Sequence, residues 1–595
     1  MEQPGGLGPG INSRDRTGGL VGDEAAHPLH PGRERFEHAA SEEVSELSDR
    51  VALEDLILHD VEAAEASGEN SSASSHSQKG EQLEAGAKSG PAWGGGYSQG
   101  RQSTGAVLEG LRQLRDAFEA AQAVQGLPLS STPLMNPSAI YPNRSLRLDQ
   151  ISVYGFDYDY TIAHYTEHLQ PLIYNLAVHH LVKEFRYPRD ILSFRYDEKF
   201  PIRGLYYDKR RGYLLKLDFF HAVEPGAAYF GRRALSRQEI EEAYGRQAIP
   251  SDYMHNLVSL MDLFCLSEAC LISDVIQHFV SSRIEFDPMY VYEDVKKSID
   301  YVHRSALMHR AILEKPSQFL LKQPGVIQQL KRLKASGKKL FILTNSPFFF
   351  VDGGMRYLFQ DDGQDGQSWR QLFDVVIALA DKPNWYTSER PFRFYNDKKD
   401  SLTWRTVRDF KPGSVYYHGC LKDFLTISGW KGSDVLYFGD HLYSDLRGPT
   451  RAGWRTAAII RELEHDIDTQ NRPQYRFQQA KYHALQELLG RFHGFPATGR
   501  TPADAEFLKQ LQLARREAKA AMKTMFSAYF GSAFLTHAAK ESAFAYNVQR
   551  YADVYTSKLE NFLQYPLDSW LFAPHDVKIL PHHIKIEPSS LLPEQ

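Results

Sequence analysis

Four short apolar runs, each stopping abruptly at a cluster of polar or charged residues, constrain this chain more than any other feature. IleSerValTyrGlyPhe (151–156) runs into AspTyrAspTyrThr, and LysLeuPheIleLeuThrAsn (339–345) ends on a hydroxyl and an amide. PheAspValValIleAla (373–378) precedes AlaAspLysPro, and AspValLeuTyrPheGlyAsp (434–440) ends on an acid. Strands that are apolar throughout, rather than alternating, belong to a parallel sheet covered on both faces. In such open α/β sheets ligands sit outside the carboxyl ends of the strands, where these polar clusters fall. The stretch 321–337, closing at Gly337, reads as a helix feeding the second strand as a right-handed crossover requires.

The spacing between the first and second runs is too long for a crossover. Residues 165–318 read as an inserted cap domain with its own strands at 204–208 and 212–218 and helices around 252–281 and 292–311. The sheet-bearing core is then split into 131–164 and 319–495. A helical segment is expected over 496–573, and a tail from Pro574 to Gln595. Before the core, residues 1–130 are rich in Gly, Ser, Glu and Gln and read as mostly disordered, with a short acidic amphipathic helix around Val51, Leu53, Leu56 and Leu58. Within that segment 104–124 is better patterned: Val107, Leu111, Leu114 and Phe118 recur at helical spacing, as a helix docking on the body would.

Composition narrows the class of protein. With 42% hydrophobic and 24% charged residues and a net charge of −5, nothing favours nucleic acid or a membrane as partner. Three cysteines, Cys265, Cys270 and Cys420, make no disulfide framework and fit a reducing compartment. No apolar stretch is long enough to span a bilayer, and the N-terminus lacks the pattern of a secretory or mitochondrial leader, so a soluble cytoplasmic protein is expected. The pairs His179–His180 and His582–His583 lack a third spaced ligand and read as surface residues.

Chemistry concentrates at the strand ends. Asp157 is suited to attack phosphorus as a nucleophile, and Asp159, two residues on, to act as general acid and base. A surface turn would also carry such a pair; the apolar strand directly before it favours the functional reading. ThrAsnSer (344–346) offers a hydroxyl and backbone N–H groups to a phosphate, though it is ordinary turn chemistry as well. Lys382 supplies a cation for a transferred phosphoryl group, and Asp440 with Asp445 suits a magnesium ion, which prefers oxygen ligands. Each signal is weak alone. Their order along the chain — acid pair, hydroxyl, lysine, acid pair — is what points to phosphoryl transfer.

That ordered set resembles the four motifs of haloacid-dehalogenase-type (HAD) phosphatases. The longer stretches 155–165, 200–208, 340–347, 437–446 and 453–456 are similar to the cytosolic purine 5′-nucleotidase family, most closely its 5′-nucleotidase domain-containing branch, from about Asn136 to about Tyr565. The resemblance implies a HAD-like Rossmannoid parallel sheet with a large inserted cap and C-terminal helices. It also implies Mg²⁺, and hydrolysis of a nucleoside 5′-monophosphate through an aspartyl-phosphate on Asp157. By the same resemblance Asp159 is the acid/base, its main-chain carbonyl also meeting the metal. Thr344, Asn345, Ser346 and Lys382 hold the phosphate, and Asp157, Asp159, Asp440 and Asp445 serve Mg²⁺. In the cap, Asp300 and His303 match a helix that contacts base and sugar. Lys296 stands where the purine-specific enzyme has arginine, and Arg304 where it has tyrosine.

A phenylalanine that stacks on the purine in that enzyme is expected to be replaced, within GlyAlaAlaTyrPheGly (226–231), which puts purine specificity in doubt. The segment 446–452 lacks the family's lysine-rich character, so nucleotide activation there is not expected. The family also implies a homo-oligomer. The expected partner is a small-molecule phosphate ester, with a nucleoside monophosphate foremost. A reading of another class stands beside the enzyme: a weakly active or non-catalytic regulatory or scaffolding protein that keeps the phosphatase core.

Overall fold

The computed structural model describes residues 104–123, 134–245, 248–360, 368–496, 500–536 and 540–575. The short helix expected near Val51–Leu58 and most of the expected tail lie outside them. Among the described residues no helix is long and apolar enough to cross a membrane.

A ten-stranded sheet forms the core. Its centre is parallel, in the order Val554–Thr556, Arg455–Ile459, Val435–Gly439, Val153–Phe156, Lys339–Leu343, Val375–Ala378 and Val415–His418. Antiparallel strands close both edges: Tyr141–Pro142 on one side, Phe392–Asn396 and Ser401–Leu402 on the other. From Val153–Phe156 the chain builds outward in one direction through the strands at 339, 375 and 415. It then returns to place 435, 455 and 554 on the other side. The order therefore reverses beside Val153–Phe156, and a crevice opens at such a switch point. The central strands are buried along almost their whole length, as their unbroken apolar runs require. Each fully buried Phe, Leu or Ile there contributes about 1.5–3 kcal/mol by leaving water.

The C-terminal region, expected to be mostly helical over 496–573, also carries a short strand. Helices Pro473–Gly494 and Pro502–Thr524 pack together, with Leu111, Leu114 and Phe118 of helix Thr104–Ala123 buried against them. The chain then gives the main sheet a parallel strand, Val554–Thr556. Three residues are too few to show a period in sequence, and only pairing with Arg455–Ile459 identifies them.

The cap leaves the core just after Tyr165 and rejoins it at Leu320, where the two segments form a single antiparallel bridge. It holds a five-stranded antiparallel sheet, ordered Arg233–Ala234, Val223–Phe230, Tyr213–Leu217, Leu205–Asp208 and Leu257–Leu260. Helices Leu169–Glu184, Cys265–Ser281, Pro288–Arg304 and Leu307–Glu314 complete it. The helix expected over 252–281 is thus two elements: its start is the strand Leu257–Leu260, paired with Leu205–Asp208. The helix expected over 292–311 breaks at Ala306, whose φ is +61°. Cap and core share one apolar cluster, in which Tyr206, Leu215 and Leu217 of the cap meet Leu442, Leu446, Ile460 and Phe544.

Candidate active site

Register brings the acids together. Phe156 pairs with Phe438, and the Asp157 N–H donates to the Phe438 carbonyl at 2.9 Å, so Asp157 and Asp440 leave adjacent strands side by side. Asp445 returns to the same place through the first turn of Leu442–Arg447. Gly439 makes this approach possible: a Cβ there would lie 2.2 Å from the Asp445 Cβ. Asp157, Asp440 and Asp445 are all buried, each with a carboxylate oxygen within 4.8 Å of the others. Lys382 enters from the end of Val375–Ala378, its Nζ 2.6 Å from Asp445 Oδ1 and 3.0 Å from Asp157 Oδ1. It also donates to the Tyr437 hydroxyl at 3.0 Å, which in turn donates to the Leu343 carbonyl at 2.8 Å.

Asn345 holds Lys382 in place. Its Nδ2 donates to the Lys382 carbonyl at 3.0 Å, and its Oδ1 accepts from the Lys382 N–H at 2.7 Å. The side chain is thereby committed to the lysine, and what Asn345 keeps for an anion is its main-chain N–H. Thr344 is fully buried at the strand end, its hydroxyl accepting from the Ser346 N–H at 3.1 Å. Asp159 lies outside the carboxylate cluster. Its two oxygens accept from Ser346 Oγ at 2.6 Å and from the Tyr165 hydroxyl at 2.5 Å.

Electrostatics set these acids apart from ordinary surface carboxylates. Burial pushes the Asp157 carboxyl up to about 7, with Lys382 pulling against it and Asp445 adding to it. Burial, then Asp445, holds Asp440 well above the carboxylate range, and Arg203 opposes them. Asp159 is also raised by burial, while the Ser346 and Tyr165 hydroxyls act in the opposite direction. Burial alone would lower the Lys382 ammonium, but Asp157 and Asp445 more than reverse this. Lys382 faces Asp157 and Asp445, while Asp440 has Arg203 at 3.8 Å, and the three buried acids crowd together oxygens that a hard, oxygen-seeking divalent cation would take as ligands. The donor set fits Mg²⁺.

Two residues that sequence reasoning passed over reach this centre. Arg203, fully buried, donates from one nitrogen to the Asp440 carbonyl at 3.0 Å and from another to Glu462 Oε2 at 2.7 Å. Phe264 projects from the cap, its ring centroid 5.1 Å from Tyr160, 6.4 Å from Tyr165 and 5.2 Å from His303. The expectation of a replaced stacking ring falls on 226–231. All of that stretch but Gly231 lies in the cap strand Val223–Phe230, where Phe230 packs on Tyr213 and Phe286. Phe264 instead packs beside Tyr165, the hydroxyl partner of Asp159, and nothing in the local pattern set it apart within the helix expected around 252–281.

Around Phe264 the structure gathers a second set of charges. Lys296 Nζ sits 2.9 Å from Asp300 Oδ1 and 3.8 Å from Glu268 Oε2. Glu268 is 2% exposed, and burial, opposed by Lys296, pushes its carboxyl up to about 7. Burial pulls His303 down to about 4, so it is neutral near pH 7. Asp262 lies 3.9 Å from His441 Nε2, where cap faces core. Lys296, Asp300 and His303 are thus neighbours, joined to the core acids through Phe264, Tyr165 and Tyr160.

The sequence matches a known family over most of its length. Residues 140–585 match the model of the 5′ nucleotidase family. A 5′-nucleotidase domain-containing protein of Dictyostelium discoideum is 40% identical over 479 residues, 80% of this chain and 79% of that protein. The 5′-nucleotidase domain-containing protein 2 of Rattus norvegicus is 40% identical over 452 residues, 74% of this chain and 80% of the relative. Its Homo sapiens counterpart is 39% identical over 486 residues, 78% and 91% respectively. The chain belongs to the 5′-nucleotidase family and is a phosphohydrolase.

Proposed function

We propose that this protein is a Mg²⁺-dependent phosphomonoesterase that hydrolyses a nucleoside 5′-monophosphate through an aspartyl-phosphate. The observation that carries the reading is the division of labour among the acids. Asp157, Asp440 and Asp445 form one buried cluster, with Lys382 on Asp157 and Asp445, while Asp159 is held apart by two hydroxyls.

Asp157 attacks phosphorus with a carboxylate oxygen, and the bond from phosphorus to the ester oxygen breaks. Asp159, kept protonated more readily by burial, gives its proton to the departing nucleoside oxygen. It then takes a proton from water, the water oxygen displaces Asp157 from phosphorus, and inorganic phosphate leaves. Lys382, with the hydroxyl of Thr344 and the main-chain N–H of Asn345, offsets charge on the phosphoryl oxygens. Asp157, Asp440, Asp445 and the Asp159 main-chain carbonyl would hold Mg²⁺, which when bound would further neutralise those oxygens. Phe264 offers a face on which a base stacks, and Lys296, Asp300 and His303 offer polar contacts to base and sugar.

The test is phosphate release from a panel of nucleoside monophosphates and simple phosphate esters, with Mg²⁺ and with EDTA, on wild type and Asp157→Asn. Turnover that needs both Mg²⁺ and Asp157, and that favours a nucleotide, is the expected result. Activity unchanged in Asp157→Asn removes the assigned nucleophile. Silence of the folded wild type across the panel returns the chain to the regulatory reading.

A further inference from the structure

We propose that Arg203 is a positioning residue of the metal centre, through which the cap fixes the orientation of Asp440. The inference rests on the metal site proposed above. Arg203 stands two residues before the cap strand Leu205–Asp208, and the intervening Gly204 is hydrogen-bonded into the cap sheet, its N–H donating to the Leu260 carbonyl at 2.8 Å. From there the guanidinium crosses into the core with no side-chain exposure. One nitrogen donates to the Asp440 main-chain carbonyl at 3.0 Å and lies 3.8 Å from Asp440 Oδ2. The other meets Glu462 Oε2 at 2.7 Å. The guanidinium carbon stands 4.8 Å from the centre of the Phe544 ring, so Phe544 borders it from a third side.

The local backbone is shaped for this. Gly204 has a φ of +95°, and a Cβ there would lie 2.5 Å from the Phe544 Cβ. A planar fork with fixed donors can hold a carbonyl and a carboxylate at once; a lysine ammonium reaches one of them. Residues that orient a metal-binding carboxylate without touching the metal set its affinity as strongly as the ligands' surroundings do. Arg203 is built for that part, and it ties Asp440 to three segments distant in sequence: the cap sheet, Glu462, and the C-terminal helix bearing Phe544.

The experiment is calorimetric titration of Mg²⁺ into the full chain, wild type against Arg203→Lys, Arg203→Met and Glu462→Gln, with circular dichroism melting of each. Both Arg203 variants are expected to bind Mg²⁺ roughly 10–100-fold more weakly while still folded. Glu462→Gln, which spares the arginine but loosens its fork, should lose about tenfold. A purely structural residue lowers the melting temperature and leaves Mg²⁺ affinity within about twofold, and that result overturns the proposal. Wild-type affinity in Arg203→Lys also overturns it, because charge alone would then suffice. If Arg203→Met does not fold, Glu462→Gln carries the decision. A wild type that binds no Mg²⁺ sinks the metal site and this inference together, whereas a wild type that binds, with unaltered variants, sinks the inference alone.

Discussion

The charges at the strand ends of the core and those of the cap are organised in opposite ways. In the core, Lys382 meets Asp445 at 2.6 Å, Asp157 at 3.0 Å and the Tyr437 hydroxyl at 3.0 Å, and Asn345 brackets its peptide group. Every distance there is set by backbone register. In the cap, Glu268 is as deeply buried as the core acids, yet its nearest cation, Lys296, stands 3.8 Å away and is shared with Asp300. A centre that performs one fixed chemical step needs groups already in position. A surface that recognises one partner among many instead keeps polar groups whose pairing a ligand completes, because unpaired buried groups reject the wrong ligand.

If the core acts as a unit, its largest response is non-additive. Lys382→Met should lower kcat/KM by about 10³-fold, the scale of losing a main stabiliser of transition-state charge. Adding Asp157→Asn to it should cost little beyond Asp157→Asn alone. Multiplying losses in the double variant, read by phosphate release, would break the description of one cooperative centre.

The Asp159 pair gives a smaller and more directional response. Ser346→Ala or Tyr165→Phe removes a hydrogen bond that favours the charged carboxylate. The Asp159 pKa therefore rises further in either variant, and the basic limb of kcat against pH moves to higher pH. A kcat loss of about 10–100-fold is expected from poorer placement of the acid. A limb that moves to lower pH, or stays fixed in both variants, removes Asp159 from the acid role.

For the cap, Phe264→Ala should cost a nucleoside monophosphate about 1–3 kcal/mol in kcat/KM, the worth of stacking a base on a ring. A simple alkyl phosphate, with nothing to stack, should lose almost nothing. Equal losses on both substrates would move Phe264 from recognition into the fixed chemistry of the core, and the contrast between the two regions would fade.

What could be read from sequence follows the same division. Asp157, Thr344, Lys382 and Asp440 each stand at or just beyond the end of an apolar run a few residues long, so local pattern marked them. The reversal of strand order that brings Asp440 beside Asp157 is a long-range fact no local pattern carries. Arg203 lies in the family-like stretch 200–208 with nothing local to single it out; its partners Asp440, Glu462 and Phe544 come from far along the chain. Phe264 was missed for a related reason. Its meaning depends on how helix Pro288–Arg304 and the Tyr160–Tyr165 loop fold against it, and the search for a stacking ring settled on a cap strand instead. The strand Leu257–Leu260, half-buried and short, was absorbed into the helix that follows it.

The finest test of the contrast is the pH dependence of stability at Glu268. Its folded pKa, about 7, lies above the ordinary value of 4.5, because burial disfavours the charged form more than Lys296 favours it. The folded state therefore holds the proton more tightly than the unfolded chain. That contribution is fully present below about pH 4.5 and is lost as pH rises through about 7. The gap corresponds to at most about 3 kcal/mol, a shift of a few degrees in melting temperature for a chain of this size. Glu268→Gln keeps the shape and removes the titration, so its melting temperature should fall less than that of wild type between pH 5 and 8. Parallel melting curves for the two proteins across that window would mean that folding does not raise the Glu268 carboxyl above its ordinary range, and the cap would hold no loose charge there. A ligand that donates a hydrogen bond to the carboxylate should flatten the wild-type curve toward that of Glu268→Gln. Comparing the slope with and without a nucleoside monophosphate then reports whether the cap's loose charge is what the ligand completes.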